Sequence, residues 1–498
     1  MRRSLKPLAP LWSLALALAC DAAASPDSSE APSPSVSNDD AADGDAADDD
    51  APRVAAAKAA VGAALGIDTR DPLHLAPPPP RAPEDIARYD ATPTKTSSRV
   101  AYAFQFDAPV FHYPSGARRI AGLVRRNTRL AVDRWVPGEG CSKSWYALVG
   151  GGYVCTSDGF SVASDPKPLS EPLQVAPPAV DHALPYRYAK VKTPAPLYWR
   201  LPTESELSSG ATGPIREQAQ GAHFVAMDQT TTVGETTLHR TVRGFYVREQ
   251  DLEAKPAPVM QGQRLAGADD LPLAFVHVDE ASLLDAETGD VLGTAEKFAR
   301  FGVATQRRGD DGKAQVVASD GFAVARESVR VARVRARPPE VGAADKWIHV
   351  DLDQQVLVAY EGDRPVLATL VSSGKKGFAP PLGVFRVHKK YSTVTMSGPD
   401  PDAGTYAVEQ VPWTMYYWGS YALHGAYWHD EFGNVRSHGC TNIPPIDARW
   451  LFYWSDPQLP EGWHAQVGLD GPWVWFTKGD PVPGAPEPSA SMRAAAAP

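Results

Sequence analysis

Between about residues 98 and 335 the chain is written as short apolar runs broken by Gly, Pro and Asp, and one arrangement of them returns three times. Each round opens on an apolar stretch: Ala108-Pro109-Val110-Phe111-His112-Tyr113-Pro114, then Ala195-Pro196-Leu197-Tyr198-Trp199-Arg200-Leu201-Pro202, then Ala281-Ser282-Leu283-Leu284-Asp285. Each closes on glycine, an aromatic and valine: Gly152-Tyr153-Val154, Gly244-Phe245-Tyr246-Val247 and Gly321-Phe322-Ala323-Val324. The rounds lie roughly 80 residues apart, a spacing that reads as tandem domains, and short strands between turn residues fit small all-β barrels. Three such units are expected, at 96–170, 183–256 and 270–335.

The ends of the chain are written differently. Arg2, Arg3 and Lys6 precede an apolar run, Leu8 to Ala19, that is too short to cross a bilayer as a mature helix and reads as a secretory signal. The run ends Leu16-Ala17-Leu18-Ala19-Cys20, which resembles a bacterial lipoprotein cleavage site. That resemblance implies a signal peptide over 1–20, an acylated Cys20 and a lipid anchor in a membrane; ordinary cleavage within Ala22–Ser25 is the alternative. Either way the expected location is the cell envelope, in the periplasm. Residues 21–95 are dominated at first by Asp, Ala, Ser and Pro, and 480–498 by Pro and Ala, too little apolar surface to offset chain entropy, so both are expected to be disordered. The net charge is −10 and no dense basic stripe interrupts it, which argues against nucleic acid as a partner.

The four cysteines divide by context. Cys20 is assigned to lipid. Cys141 and Cys155 flank one apparent hairpin around Trp145-Tyr146 and Gly152-Tyr153-Val154, within reach of a disulfide in an exported protein. Cys440 is left over, either buried and inert or kept for chemistry.

From Trp347 the pattern sharpens into a β-meander. Trp347-Ile348-His349-Val350-Asp351-Leu352 alternates like a half-buried strand, Val356–Tyr360 and Val366–Val371 follow after turns, and Val384–Val387 adds another strand. Pro444-Pro445 predicts the start of a helix whose apolar positions Ile446, Trp450, Leu451, Tyr453 and Trp454 face the sheet. A domain at 343–479 has the size of a single core.

Its chemistry is concentrated in two short segments. His424-Gly425 ends an apolar stretch, and Ser437-His438-Gly439-Cys440-Thr441-Asn442 follows shortly after. Acyl transfer needs a nucleophile, a base for its proton and donors for the oxyanion. Cys440 is the candidate nucleophile and His424 the candidate base, with the Gly425 carbonyl orienting its ring in place of an acid. The backbone N–H groups of Gly439 and Cys440 are expected to form the oxyanion hole, with Ser437 and His438 shaping the turn and Asn442 bracing it. His424, His438 and Cys440 joined by His429 or His464 would be the alternative metal set, but no His pair at helical spacing and no second nearby Cys supports it, so neither metal nor cofactor is expected.

A histidine followed at this distance by Ser-His-Gly-Cys, a small residue and Asn resembles the L,D-transpeptidase catalytic domain. Val350-Asp351, Ser372-Ser373-Gly374 and Pro381-Leu382-Gly383-Val384-Phe385 are corroborating matches, and Pro380 and Ser373 stand where threonine is common. The first repeat, through Gly122–Asn127, Trp145-Tyr146 and Gly152–Val154, resembles bacterial SH3-like domains. The two resemblances imply a mainly β chain: a C-terminal β-sandwich with a short helix, preceded by about three small SH3-like β-barrels. They imply attack of Cys440 on a peptidoglycan stem peptide to give a thioester, resolved by an amine of a second stem or of a protein. Water as acceptor, or attack on existing cross-links, would make the same acyl-enzyme a carboxypeptidase or endopeptidase. A non-catalytic, lipid-anchored wall-binding protein is the reading from another class.

Overall fold

A computed structural model describes residues 98–170, 174–210, 212–400, 404–468 and 470–479; the signal segment, Cys20, the 21–95 linker and the 480–498 tail lie outside the described residues. The three repeats are three copies of one strand topology. The first unit runs Val100–Ala103, Asp107–Phe111, Ile120–Arg125, Arg129–Val136, Trp145–Leu148, Tyr153–Cys155 and Phe160–Ala163. The second runs Arg187–Val191, Ala195–Tyr198, Ile215–Ala219, Ala222–Val233, Thr236–Thr241, Tyr246–Arg248 and Leu252–Ala254. The third runs Leu273–Val276, Glu280–Asp285, Val291–Glu296, Arg300–Arg308, Ala314–Ala318, Phe322–Ala325 and Val329–Ala332. In each, the first strand pairs with the fourth and seventh, the second with the third and sixth, and the fifth bridges the fourth and sixth, all antiparallel.

The recurrent motifs sit on the second and sixth strands, and the glycine of each closing motif has a reason to recur. Gly152, Gly244 and Gly321 take φ of 78°, 90° and 86°, turning the chain into the sixth strand through a conformation costly for any residue with a Cβ. In the first unit Cys141 and Cys155 are joined by a disulfide, with Cys155 buried against Phe111 and Trp145. The second unit carries a one-turn helix, Glu204–Ser209, that the strand signals around it hide; a Thr203/Glu206 capping box starts it and Gly210 in the left-handed region ends it.

The C-terminal domain is two sheets and one helix. The meander Lys346–Asp351, Val356–Glu361 and Arg364–Leu370 is extended by Trp473–Thr477, parallel to Lys346–Asp351, and by Gly383–Arg386 beyond it. Gln263–Arg264, between the second and third units, adds a short strand at the other edge. The second sheet is built on a long hairpin, Lys389–Asp400 with Gly404–Trp418, continued by Tyr421–Gly425 and Thr441–Ile443, with Trp463–Val467 on the hairpin's other side. Ile348, Val350, Leu357, Leu367, Trp413, Met415, Leu423 and Ile443 fill the space between the layers.

The helix Pro445–Trp454 covers that core with the expected positions and with others beside them. Ile446, Leu451 and Trp454 are buried, as are Asp447, Ala448 and Phe452, and Trp450 and Tyr453 are half-buried and packed against the core. Trp450 is also capped by the Arg264 guanidinium, 4.0 Å from its ring centroid. Two of the N-terminal units join the domain through backbone ladders. Ile120–Arg125 of the first pairs antiparallel with Trp463–Val467, and Ala222, His223 and Phe224 of the second pair in parallel with Tyr406, Ala407 and Val408 of the hairpin.

Candidate active site

The nucleophile and base candidates are brought together by a parallel strand pair. Leu423 faces Thr441, His424 faces Asn442 and Gly425 faces Ile443 in register. Side chains alternate along a strand, so His424, Asn442 and the position two residues before Asn442, which is Cys440, share one face. Cys440 lies just before its strand begins and is 7% exposed, packed with Tyr416 and Ala422 and approached by Tyr391, Val394 and Met396 of the hairpin. Its Sγ lies 3.6 Å from the carbonyl oxygen of Ser420.

His424 is buried, and its Nδ1 is 3.2 Å from the Gly425 carbonyl oxygen. A carbonyl only accepts, so Nδ1 carries the ring proton and Nε2 is left with the basic lone pair. Burial lowers the pKa of His424 from 6.5 to about 4, and the Gly425 carbonyl opposes that shift only partly. The ring is neutral near pH 7. Trp428 lies beside it, with ring centroids 5.6 Å apart.

The segment that presents Cys440 is held by backbone bonds on both flanks. Arg436 and Ser437 N–H groups donate to the Ser373 carbonyl at 2.8 and 3.0 Å, and Lys375 N–H donates to Ser437 O at 3.0 Å. Ser372 and Asn442 exchange two backbone bonds of 2.9 Å. Buried Gln355 fixes Ser373 in turn, accepting its N–H at 2.8 Å and donating to its Oγ at 2.7 Å. Within the turn, Ser437 Oγ donates to the Cys440 carbonyl and accepts the Gly439 N–H at 3.2 Å. The Gly439 amide therefore closes the turn on Ser437, where the sequence pattern had it aimed at an oxyanion. Gly439 itself is required: its φ is 133°, and a Cβ there would meet the Tyr421 ring at 3.0 Å.

His438 sits in an aromatic slot. Its ring stacks on Tyr406, 5.5 Å and 10° apart, and meets Phe378 edge-on at 5.3 Å. The side chain of Asn442 lies 2.7 Å from His429 Nε2. His429 and His464, the further members of the alternative metal set, are thus engaged elsewhere: His429 with Asn442, and His464 beside Asp107 of the first unit at 2.8 Å. Of the local aromatics, Trp413, Tyr416, Tyr417 and Tyr427 are core, while Trp418, Tyr421 and Trp428 stay half-buried around the site.

Tyr406, Phe378 and Gln355 carry no signal in a linear reading. They lie far from the Cys motif in sequence and reach it only through the hairpin and the Ser372–Lys375 segment. His429 was visible as a histidine but not as the partner of Asn442.

Residues 345–483 match the family model of the L,D-transpeptidase catalytic domain, YkuD. No curated protein matches the chain. Among solved structures, it is similar to the L,D-transpeptidase of Stackebrandtia nassauensis, at 23% identity over 28% of this chain and 59% of that one, with a TM-score of 0.21. It is also similar to a cysteine-to-serine mutant of the Enterococcus faecium L,D-transpeptidase, at 26% identity over 30% and 55%, TM-score 0.22. The L,D-transpeptidase from Mycobacterium smegmatis aligns at 15% identity over 52% and 95%, TM-score 0.22. The chain spans a little over half the length of the first two, and scores this low leave the assignment resting on the family model and its residues. On that ground the chain carries a YkuD-type L,D-transpeptidase catalytic domain at residues 345–483.

Proposed function

We propose that the protein is an exported cysteine acyltransferase that acts on peptidoglycan stem peptides, held at the envelope by a lipid on Cys20. Cys440 Sγ attacks the carbonyl of the third residue of a stem tetrapeptide. The C–N bond to the terminal D-alanine breaks, a thioester forms, and the thiol proton passes through His424 to the leaving amine. An amine from a second stem or a protein lysine then attacks the thioester, gives its proton to His424, and restores the thiol.

The observation that supports this reading is the Nδ1 contact to Gly425 O, which leaves Nε2 of a neutral His424 as the base on the face that carries Cys440. With burial holding the pKa of His424 down at about 4, its ring starts neutral and takes the thiol proton as the sulfur attacks. The transferase outcome is favoured over hydrolysis by the apolar setting of Cys440 among Tyr416, Ala422, Val394 and Met396, which disfavours a free water beside the thioester.

Intact-protein mass after incubation with a carbapenem, beside Cys440→Ala, tests the nucleophile. A one-inhibitor increase confined to the wild type supports the acyl-enzyme, and stem-peptide assays with and without an amine acceptor then separate transfer from hydrolysis. A folded, reduced wild type that forms no adduct would sink the reading.

A further inference from the structure

The long hairpin that walls Cys440 contains an irregularity held in part from outside the catalytic domain. Its register shifts between Val394 and Met396: Val394 faces Val411, but Met396 faces Val408, so the Gly404–Trp418 strand carries one extra residue there. Gln410 lies in that bulge at a φ of 49°, a left-handed conformation a glutamine adopts only under constraint. Val394 and Met396, opposite it, are two of the hairpin residues packed on the Cys440 cluster, beside Tyr391.

The constraints come partly from the hairpin itself, where Gln410 Nε2 donates to Thr395 Oγ1 at 3.2 Å, and partly from the N-terminal units. Arg125 of the first unit is 4% exposed, and its Nη2 lies 3.1 Å from both Gln410 Oε1 and Thr393 Oγ1, while Nη1 donates to Asp107 at 2.9 Å. Thr393 Oγ1 itself donates to Gln410 Oε1 at 2.8 Å. From the second unit, the Tyr188 hydroxyl donates to the Gln410 carbonyl at 2.8 Å, and the Ala226 N–H donates to Glu409 Oε2 at 3.3 Å. Tyr188 also stacks on Tyr427, three residues after His424, with centroids 3.9 Å apart. One unit thus holds the side chain of Gln410 and the other its carbonyl.

We infer that Arg125 and Tyr188 are positioning residues for the reaction at Cys440, locking the Gln410 bulge so that the hairpin lies at the right height over the thiol. The first two units are then working parts of the active site. This rests on the acyltransferase reading, and acylation of the wild type serves as the check on that reading alone.

The test uses the full chain carrying Arg125→Met, Tyr188→Phe or Gln410→Gly. The rate of carbapenem acylation at Cys440 is followed by intact mass, with iodoacetamide alkylation and thermal unfolding measured alongside. Arg125→Met and Gln410→Gly are expected to slow acylation about tenfold or more, because small displacements of reacting groups are costly. Tyr188→Phe, which removes one oxygen and keeps the ring, is expected to slow it several-fold. Alkylation, which needs no aligned acyl donor, is expected not to fall. Folded variants that acylate at the wild-type rate, even with lowered melting temperatures, would overturn the inference. A fall in alkylation equal to the fall in acylation would also overturn it, since the thiol would then be covered rather than misaligned.

Discussion

The Nε2 of His429 lies 2.7 Å from the side-chain Nδ2 of Asn442, on the face of the strand pair that also carries His424. The other ring nitrogen, Nδ1, accepts the Glu431 N–H at 3.1 Å, so the neutral ring carries its proton on Nε2. A ring N–H and an amide N–H cannot bond each other, so the amide of Asn442 turns its oxygen, rather than Nδ2, to His429. The pair is the inner support of the turn that displays Cys440.

Replacing His429 by alanine leaves the amide of buried Asn442 without its partner. The expected cost is about 1–3 kcal/mol of stability, the usual penalty for an orphaned buried polar group. Urea unfolding of the full chain measures it. His429→Gln, which restores one hydrogen bond, is expected to recover part of the loss. Equal stability of His429→Ala and wild type would show that the contact is incidental.

The buried histidines set the acid limit of stability. His424 is lowered to about 4, and His349 and His429 to about 3, in each case chiefly by burial. Their folded forms prefer the neutral ring, so the unfolded chain binds more protons below about pH 6.5, and stability falls as pH drops from there toward 3. Glu409 works the other way: burial raises its pKa to about 7, so it gives up stability as pH rises from 4.5 to 7. Buried Asp447 is raised likewise, but the lowered histidines, with His464 and His223 among them, outnumber these carboxyls, and each group contributes roughly 1.4 kcal/mol per pH unit within its window. Unfolding midpoints at pH 7, 5.5 and 4 are expected to fall steadily, and His349→Asn to flatten the trend. A midpoint that rises on acidification would contradict this.

Gly439 is expected to tolerate no side chain. Alanine there meets both an unfavourable φ of 133° and the Tyr421 ring at 3.0 Å. The strain is on the order of 1–3 kcal/mol, and relief requires the Cys440 turn to move. Acylation of Cys440 in Gly439→Ala is expected to drop by more than tenfold. Retention of the wild-type acylation rate would show that the turn is softer than its geometry.

What could be read from the sequence was whatever is encoded over a few neighbouring residues. The Gly-aromatic-Val motif was legible because a positive φ at Gly152, Gly244 and Gly321 demands glycine at the entrance to the same strand of each unit. The Ser437–Asn442 turn was legible for the same reason: its hydrogen bonds close within a few residues, from Ser437 Oγ to Cys440 O and from Gly439 N–H to Ser437 Oγ. The burial of Asp447 in the Pro445–Trp454 helix was not legible, because its partners are distant: Gly262 N–H and Thr369 Oγ1, both at 2.7 Å from Oδ2. Arg125, more than 250 residues from Thr393 and Gln410, looks in the sequence like any surface arginine of a small β unit. Trp413 looks like plain core, yet its indole N–H is spent on the Ala183 carbonyl of the second unit at 2.7 Å.

The strand Trp463–Val467 has a neighbour on each side, the hairpin on one and Ile120–Arg125 of the first unit on the other. A fragment trimmed to the family match would bare that flank, and the Tyr406–Val408 segment paired with Ala222–Phe224 would be bared with it. Both are open β edges, ready templates for a passing strand. A minimal catalytic fragment of this protein is therefore expected to be sticky in solution, and its insolubility would report a missing neighbour rather than a badly made core.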